Sequence, residues 1–286
     1  MRSTVRVVSG ALEDGQRREA VYGGGLLVFE KVPPMVELCA YADALIRQAF
    51  ETEDPVRAQF GLGRDEYLSR VEALQKRFRG DGAAKELFLA ALGHVGVDLR
   101  RTFWDWLYLR VSPHSDEHAG RRTAGLGFHR DTWSSNVYAQ TNWWAPIYPV
   151  TAGRTVAFYP AYWERPIENT SRGWDLEEIR AGRSDAPVVP GPTETVETAS
   201  GLRPVIEPGD LLCFSGAHLH ASVPNTTGVA RFSVEVRTVD AGDATKGRGA
   251  PNVDGGAPRV ASGWFRHVED GATLPEVPRV RPRGAV

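Results

Sequence analysis

A histidine and a carboxylate are separated by a single residue in His129-Arg130-Asp131. Alternate side chains of an extended chain project to the same side, so this imidazole and this carboxylate can reach one divalent metal ion without backbone distortion. A pair of this kind is not specific by itself, because short coincidences are frequent and a solvated turn explains it equally well. A third ligand is needed to define a metal site.

Two further histidines, His218 and His220, lie in a segment with a pattern of strands and turns. Pro208-Gly209-Asp210 begins an apolar strand, and the residues after Pro224 turn the chain back. One of these histidines would complete a set of two imidazoles and one carboxylate, which leaves open positions on iron(II) for a cosubstrate and O2. His218 and His220 alternate onto the same side of a strand predicted at 217–222, so spacing alone does not separate them.

The strand predicted at 230–238 carries an arginine in a position that indicates an anion. Arg231, Ser233 and Glu235 alternate to one side of this strand, opposite its apolar residues. If that side lines the interior, Arg231 is a buried charge that needs an anionic partner, and its guanidinium fits a carboxylate bidentately. The far carboxylate of 2-oxoglutarate is the natural counter-ion, while its keto-acid end chelates iron. The alternative is a surface strand with a solvated Arg231.

These segments resemble the phytanoyl-CoA dioxygenase-like branch of the iron(II)/2-oxoglutarate oxygenases. The resemblance spans about residues 20–240, and Arg231 follows His220 by eleven residues, the family interval. It implies that His129, Asp131 and His220 ligate iron, and it favours His220 over His218. It further implies that Arg231 binds the far carboxylate of 2-oxoglutarate and that Ser222 supports this carboxylate by a hydrogen bond.

The resemblance also implies a reaction. We expect oxidation, most simply hydroxylation, of an aliphatic C–H bond in a small molecule of specialised metabolism, with release of succinate and CO2. In related halogenases a small residue replaces the carboxylate ligand, so Asp131 favours oxygen transfer over halogenation. Desaturation, cyclisation and epimerisation diverge only after hydrogen abstraction, and the choice among them stays open.

Other side chains are predicted to lie near the site. Asn142 and Gln140 share one side of a strand predicted at 137–148, and we expect them to contact 2-oxoglutarate. The side chains expected near the substrate are Trp133, Trp144, His118 and His218. His118 belongs to the segment 114–118, whose pattern favours a solvated polar loop, with lid or substrate contact as the alternative.

The elements that would position these residues follow from hydrophobic periodicity. Helical spacing predicts a helix after Pro33-Pro34 and two more at about 64–79 and 83–95. Later, short aromatic and β-branched runs predict antiparallel strands. These strands lie at about 103–111, 126–130, 137–148, 154–159, 204–207, 211–215, 217–222 and 230–238. The pattern favours a mainly β fold with a helical buttress, specifically a cupin-like double-stranded β-helix, or jelly-roll.

We predict a single oxygenase domain over residues 1–286. Helical support would occupy 20–100 and the jelly-roll core 101–240, with a lid insertion at about 164–203. Residues 241–286 form a tail rich in Gly and Pro.

Composition restricts the partners. The formal net charge is -2, which provides no basic field for nucleic acid or an anionic membrane. No apolar run approaches the length of about eighteen residues that suggests a spanning helix, and both cysteines lie in apolar runs. We therefore expect a soluble cytoplasmic protein that acts on a small molecule, in an oligomeric state that stays open.

Two other functions fit parts of the pattern. A cupin-type metalloenzyme that does not use 2-oxoglutarate would need the metal ligands but not Arg231. A binding protein with a degenerate site would need neither the complete set of metal ligands nor Arg231.

Overall fold

The computed structural model describes residues 5–120, 123, 125–187 and 189–282. Its α-helices are α1 (Asp14–Tyr22), α2 (Pro33–Phe50), α3 (Arg64–Gly80), α4 (Gly82–His94), α5 (Thr132–Ser135), α6 (Leu176–Arg180) and α7 (Ala241–Thr245). Its strands are β1 (Val5–Ser9), β2 (Leu26–Glu30), β3 (Thr102–Trp104), β4 (Tyr108–Ser112), β5 (Gln140–Pro146), β6 (Val156–Phe158), β7 (Leu211–Ser215), β8 (His220–Ser222), β9 (Arg231–Asp240) and β10 (Arg266–His267).

Most strands belong to one large mixed sheet. Its order is β1-β2-β7-β5-β9-β3-β10, and β4 also pairs with β9. Only β1 and β2 run parallel among these described pairs. The ten-residue β9 pairs with β4 through its first half and with β3 through its last residues. A separate antiparallel pair, β6 and β8, forms a second small sheet.

Helices α2, α3 and α4 cover one face of the large sheet. Their apolar residues form one core with the side chains that the strands turn toward them, including Trp143 and Phe232. Because strand side chains alternate, the neighbours Trp144 and Arg231 are directed to the opposite face. The helices thus support the sheet from behind, and the polar residues of β5 and β9 face a cavity on the other side.

The structure contains the three predicted helices as α2, α3 and α4. Two predicted strands are not formed. The segment 126–130 contributes one isolated bridge at His129, and 204–207 is irregular. Pro204 has no backbone N–H to contribute to a ladder, which explains part of the second difference.

The predicted ranges extend beyond the described residues at positions 1–4 and 283–286. Among the described helices, none has both the length and the apolar character required to cross a bilayer.

Candidate metal centre and cavity

His129, Asp131 and His220 converge at one point beside the small sheet. Each presents one donor atom, and the three atoms lie within 4.8 Å of one another. Asp131 Oδ1 is 4.0 Å from His129 Nε2, and Asp131 Oδ2 is 3.7 Å from His220 Nε2. The backbones of His129 and His220 exchange two hydrogen bonds of 3.0 Å, which hold the two histidines side by side.

Both imidazoles are oriented so that Nε2 can bind a metal. His129 Nδ1 donates to the Gly127 carbonyl at 2.8 Å, and His220 Nδ1 donates to the His218 carbonyl at 2.9 Å. A carbonyl only accepts, so each Nδ1 carries the proton and each Nε2 lone pair is left for a metal. Burial, with a further contribution from His220, lowers the pKa of His129 to about 4. The donor set therefore fits a divalent transition metal such as iron(II).

Asp131 is held as a carboxylate. Burial is the largest influence on its pKa and would raise it, but the neighbouring His220, His129 and Arg237 and the hydrogen bond from Asn142 together lower the pKa. Asn142 Nδ2 donates to Asp131 Oδ2, and Arg237 Nη1 lies 3.8 Å from Asp131 Oδ1. Both oxygens thus have positive or hydrogen-bonding neighbours, which fix the orientation of the carboxylate.

The turn after β7 brings the two halves of the site together. His218 N donates to the Ser215 carbonyl at 3.0 Å, so the chain turns here instead of continuing as a strand. At Gly216 a Cβ would lie 2.5 Å from Gln140 Nε2 and 3.3 Å from Asp131 Cβ. A side chain at this position would have to displace the Gln140 amide, so glycine keeps Gln140 in place behind Asn142. The turn also breaks the alternation expected for 217–222, so His218 and His220 do not face the same way.

Arg231 lies on the wall of the same cavity and is 6% exposed. Its Nη1 donates to the Thr155 carbonyl at 3.1 Å, while its buried Nε has no hydrogen-bond partner. Among the described residues, no carboxylate lies within ion-pair distance of this guanidinium. Burial lowers the pKa of Arg231 to about 10, although nearby Glu235 opposes this effect. The group remains a cation that faces the cavity without an anion.

The cavity has a volume of about 530 Å³ and contains the metal ligands, Arg231 and Ser222 in its lining. Ser222 Oγ accepts a hydrogen bond from the backbone of Leu126 at 3.3 Å. Asn142 and Trp144 also line it, whereas Gln140 is fully buried behind Asn142 and donates to Asn142 Oδ1 at 2.8 Å.

Three residues predicted near the substrate lie outside the cavity lining in the described part of the chain. Trp133 is fully buried and donates to Asp254 at 2.6 Å. His218 is stacked beside Trp163, with ring centroids 4.4 Å apart. His118 lies against Tyr67, with centroids 5.4 Å apart. The structure brings Trp144 to the cavity but not these three side chains.

Two polar pairs in the cavity wall were not foreseen. Arg237 Nε donates to Asp105 at 2.6 Å, and Arg110 Nε donates to Glu235 at 2.7 Å. Arg237 continues the alternation of Arg231 and Glu235 along β9, so the period-two pattern could have indicated it. Asp105 and Arg110 lie on neighbouring elements whose approach to β9 no local pattern reveals.

The insertion and the tail both reach the cavity. Trp174, Arg180 and Val189 line it from the predicted insertion, and Gly263, Trp264 and Arg266 line it from the tail. Asp254 anchors this arrangement, because it accepts from Arg130 Nε at 3.2 Å, Trp133 Nε1 at 2.6 Å and the Ile167 backbone at 3.1 Å.

Comparison with known proteins finds solved structures that are similar to this chain at low sequence identity. No family model matches the chain, and no curated protein matches it. EvdMO1 is 17% identical over 56% of this chain and 30% of that chain, with a TM-score of 0.32. SnoK, a non-haem α-ketoglutarate-dependent carbocyclase from nogalamycin biosynthesis, is 16% identical over 55% of each chain, with a TM-score of 0.34. The present chain thus spans only part of the length of these two proteins.

The epimerase SnoN, in complex with Fe3+, α-ketoglutarate and nogalamycin RO, is also similar. It is 16% identical over 80% of this chain and 85% of that chain, with a TM-score of 0.44. At these identities and TM-scores the likeness does not assign an activity to this chain.

Proposed function

We propose that this protein is an iron(II)- and 2-oxoglutarate-dependent dioxygenase that oxidises an aliphatic C–H bond of a small molecule. The observation that carries the proposal is the pairing of two features in one cavity. Two imidazoles and a carboxylate converge within 4.8 Å, and a buried guanidinium faces the same space without an anion. Metal and a dicarboxylate cosubstrate satisfy both features together.

In this proposal His129 Nε2, Asp131 and His220 Nε2 hold iron(II). When bound, iron with 2-oxoglutarate and O2 supplies the oxidising chemistry that yields succinate, CO2 and an oxidised substrate. Arg231 binds the far carboxylate of the cosubstrate with Nη groups and its unpartnered Nε, and Ser222 lies on the same wall. Asn142 and Arg237 orient Asp131, and Gln140 orients Asn142.

The organisation of the chain belongs to the same proposal. We infer a double-stranded β-helix of the phytanoyl-CoA dioxygenase-like kind, in which the large sheet and the β6-β8 pair enclose the site. Residues 164–203 act as a lid and the tail closes the cavity, within a single domain that works in the cytoplasm. Hydroxylation is the proposed outcome because Asp131 occupies the third ligand position, with desaturation, cyclisation and epimerisation as alternative outcomes.

Metal and cosubstrate binding can be tested under anaerobic conditions. Chelator-treated full-length protein is titrated with Fe(II) and then with 2-oxoglutarate, and the weak visible charge-transfer band of the chelate is recorded. We expect the band in the wild type and its loss in His129→Ala. His94→Ala, at an exposed position near the end of α4, is the matched control and should keep the band.

Admission of O2 with succinate detection separates the alternatives. Succinate formation that depends on both Fe(II) and 2-oxoglutarate supports the proposal. Iron binding without any effect of 2-oxoglutarate would instead favour a cupin-type metalloenzyme. Absence of iron binding would favour a degenerate binding protein.

A further inference from the structure

The cavity is rich in tryptophan. Six of the eight tryptophans of the chain line it. Trp143 turns its ring to the helix side, where it lies 6.2 Å from Phe29. In contrast, Trp106 is 52% exposed, and Trp104 and Trp264 are half-buried. An arginine guanidinium lies over each of two of these rings, Arg79 at 5.8 Å from Trp106 and Arg237 at 5.6 Å from Trp264. A flat ligand would therefore stack on the opposite face of each indole.

The same cavity carries an excess of positive charge. Its lining includes six basic side chains and three acidic ones, although the whole chain has 34 basic and 36 acidic residues. Each of the three acidic side chains already has a role or an ion-pair partner. Asp131 belongs to the metal centre, Asp105 pairs with Arg237, and Glu235 pairs with Arg110.

After these pairs are formed, the remaining cavity cations are Arg231, Lys85, Arg180 and Arg266. Arg231 is assigned to the cosubstrate by the proposed function. Among the described residues, none of the other three has a carboxylate within ion-pair distance, and Arg266 Nη1 only donates to backbone carbonyls of the tail. Three cations therefore remain to meet an anionic group of a ligand.

Trp264 lies toward the metal centre. Arg237 lies 3.8 Å from Asp131, and its guanidinium is 5.6 Å from the Trp264 ring. Arg231 is six residues earlier on β9, a separation of about 20 Å along an extended strand. A ligand stacked on Trp264 can thus approach the metal without occupying the space of Arg231.

We propose that the substrate has a planar ring system and an acidic group, with the ring stacked on the wall formed by Trp104, Trp106 and Trp264 and the acid directed to Lys85, Arg180 and Arg266. This inference rests on the proposed function for the role of the metal. The cations come from α4, the insertion and the tail, so all three must be in place to complete the subsite.

The test uses 2-naphthoate as the probe, with 2-naphthamide as the neutral isostere and cyclohexanecarboxylate as the acid without a planar ring. Quenching of tryptophan fluorescence is titrated in the full-length protein under anaerobic conditions with saturating Fe(II) and 2-oxoglutarate. We expect saturable binding of 2-naphthoate, and binding at least about tenfold weaker for each comparison compound.

Variants locate the subsite. Trp264→Leu should weaken 2-naphthoate binding, and the double variant Arg180→Gln/Arg266→Gln should remove the preference for the acid over the amide. Arg183→Gln is the matched control, because Arg183 lies in the same insertion but pairs with Glu178 outside the cavity lining. The Arg183→Gln variant should keep the wild-type preference for the acid over the amide.

Several results would overturn the inference. These are no saturable binding of 2-naphthoate, equal binding of the acid and the amide, unchanged binding in the variants, or tighter binding in a parallel titration without 2-oxoglutarate, which would place the probe at Arg231. The chelate band is recorded in the same samples. If the chelate band is absent but 2-naphthoate selectivity is intact, the proposed dioxygenase function would be refuted, whereas the proposed substrate subsite would not.

Discussion

Replacement of Arg231 by leucine is expected to have opposite effects on cosubstrate affinity and on the stability of the free protein. The side chain is 6% exposed and has no carboxylate partner among the described residues, so its charge is buried without compensation. Leucine removes this charge but keeps an apolar body that fills much of the space. The same change deletes the proposed partner of 2-oxoglutarate.

The magnitude follows from the contacts. Loss of one partner of a buried, hydrogen-bonded charge pair costs about 2–5 kcal/mol, which corresponds to roughly 30-fold to more than a thousandfold in the Kd for 2-oxoglutarate. In the free protein, the loss is one hydrogen bond to the Thr155 carbonyl, which also accepts from the backbone of Val223 at 3.0 Å. Removal of an unpaired buried charge should therefore leave the Tm unchanged or raise it by a few degrees.

Thermal denaturation of the Fe(II)-loaded protein under anaerobic conditions measures both effects. At 2-oxoglutarate concentrations near one hundred times the Kd, about 2.7 kcal/mol of ligand stabilisation is expected, or roughly 5–10 °C in the wild-type Tm. This ligand shift should fall to about a third of the wild-type value or less in Arg231→Leu. Arg57→Leu removes an arginine that is 64% exposed and should retain the shift. If Arg231→Leu bound 2-oxoglutarate within about threefold of the wild type, the assignment of Arg231 to the cosubstrate would be refuted.

Three further predictions test the metal centre and its support. An unfolded histidine takes up a proton below about pH 6.5, but folded His129 does so only near pH 4, so metal-free protein should lose stability between these values. His129→Leu should reduce this loss of stability, measured by urea denaturation at pH 7 and pH 4.5, by at most about 3 kcal/mol. A pH dependence of stability identical to that of the wild type would contradict the burial argument. Asn142→Ala should weaken Fe(II) binding about 10–100-fold in anaerobic titration, because Asp131 loses its orienting donor; unchanged affinity would exclude this role. Asp254→Asn should destabilise the fold by about 3–5 kcal/mol, since it leaves Arg130 buried without its carboxylate, and a loss under about 1 kcal/mol in urea denaturation would argue against the tail as an anchor.

The local patterns of the chain predicted most of its regular elements. The apolar stripes of α2, α3 and α4 and the prolines at the start of α2 were sufficient to place these helices. The strands were placed less closely, because short apolar runs do not show where pairing begins or ends. The segment 126–130 is an example, since only His129 finds a bridge partner there.

The candidate ligands could be found from the sequence because the residues that carry the chemistry alternate over short distances along the chain. His129 and Asp131 are two residues apart, and Arg231 and Glu235 alternate on one strand. No comparable alternation on a strand supported the predicted substrate roles of Trp133 and His118. In the structure, both side chains are packed against other residues and lie outside the cavity lining.

By itself, the sequence determined which residues could bind a metal and an anion. It contains the imidazole, carboxylate and guanidinium groups and fixes their spacing along the chain. Spacing alone did not separate His220 from His218, and the family interval to Arg231 was what favoured His220. The tertiary structure supplies the physical reason, because the turn at Ser215–His218 ends the alternation and a long-range bridge holds His220 beside His129. The cavity wall was likewise decided in three dimensions. Its charge and aromatic surface come from α4, the insertion and the tail, and long-range packing alone brings such segments to one place.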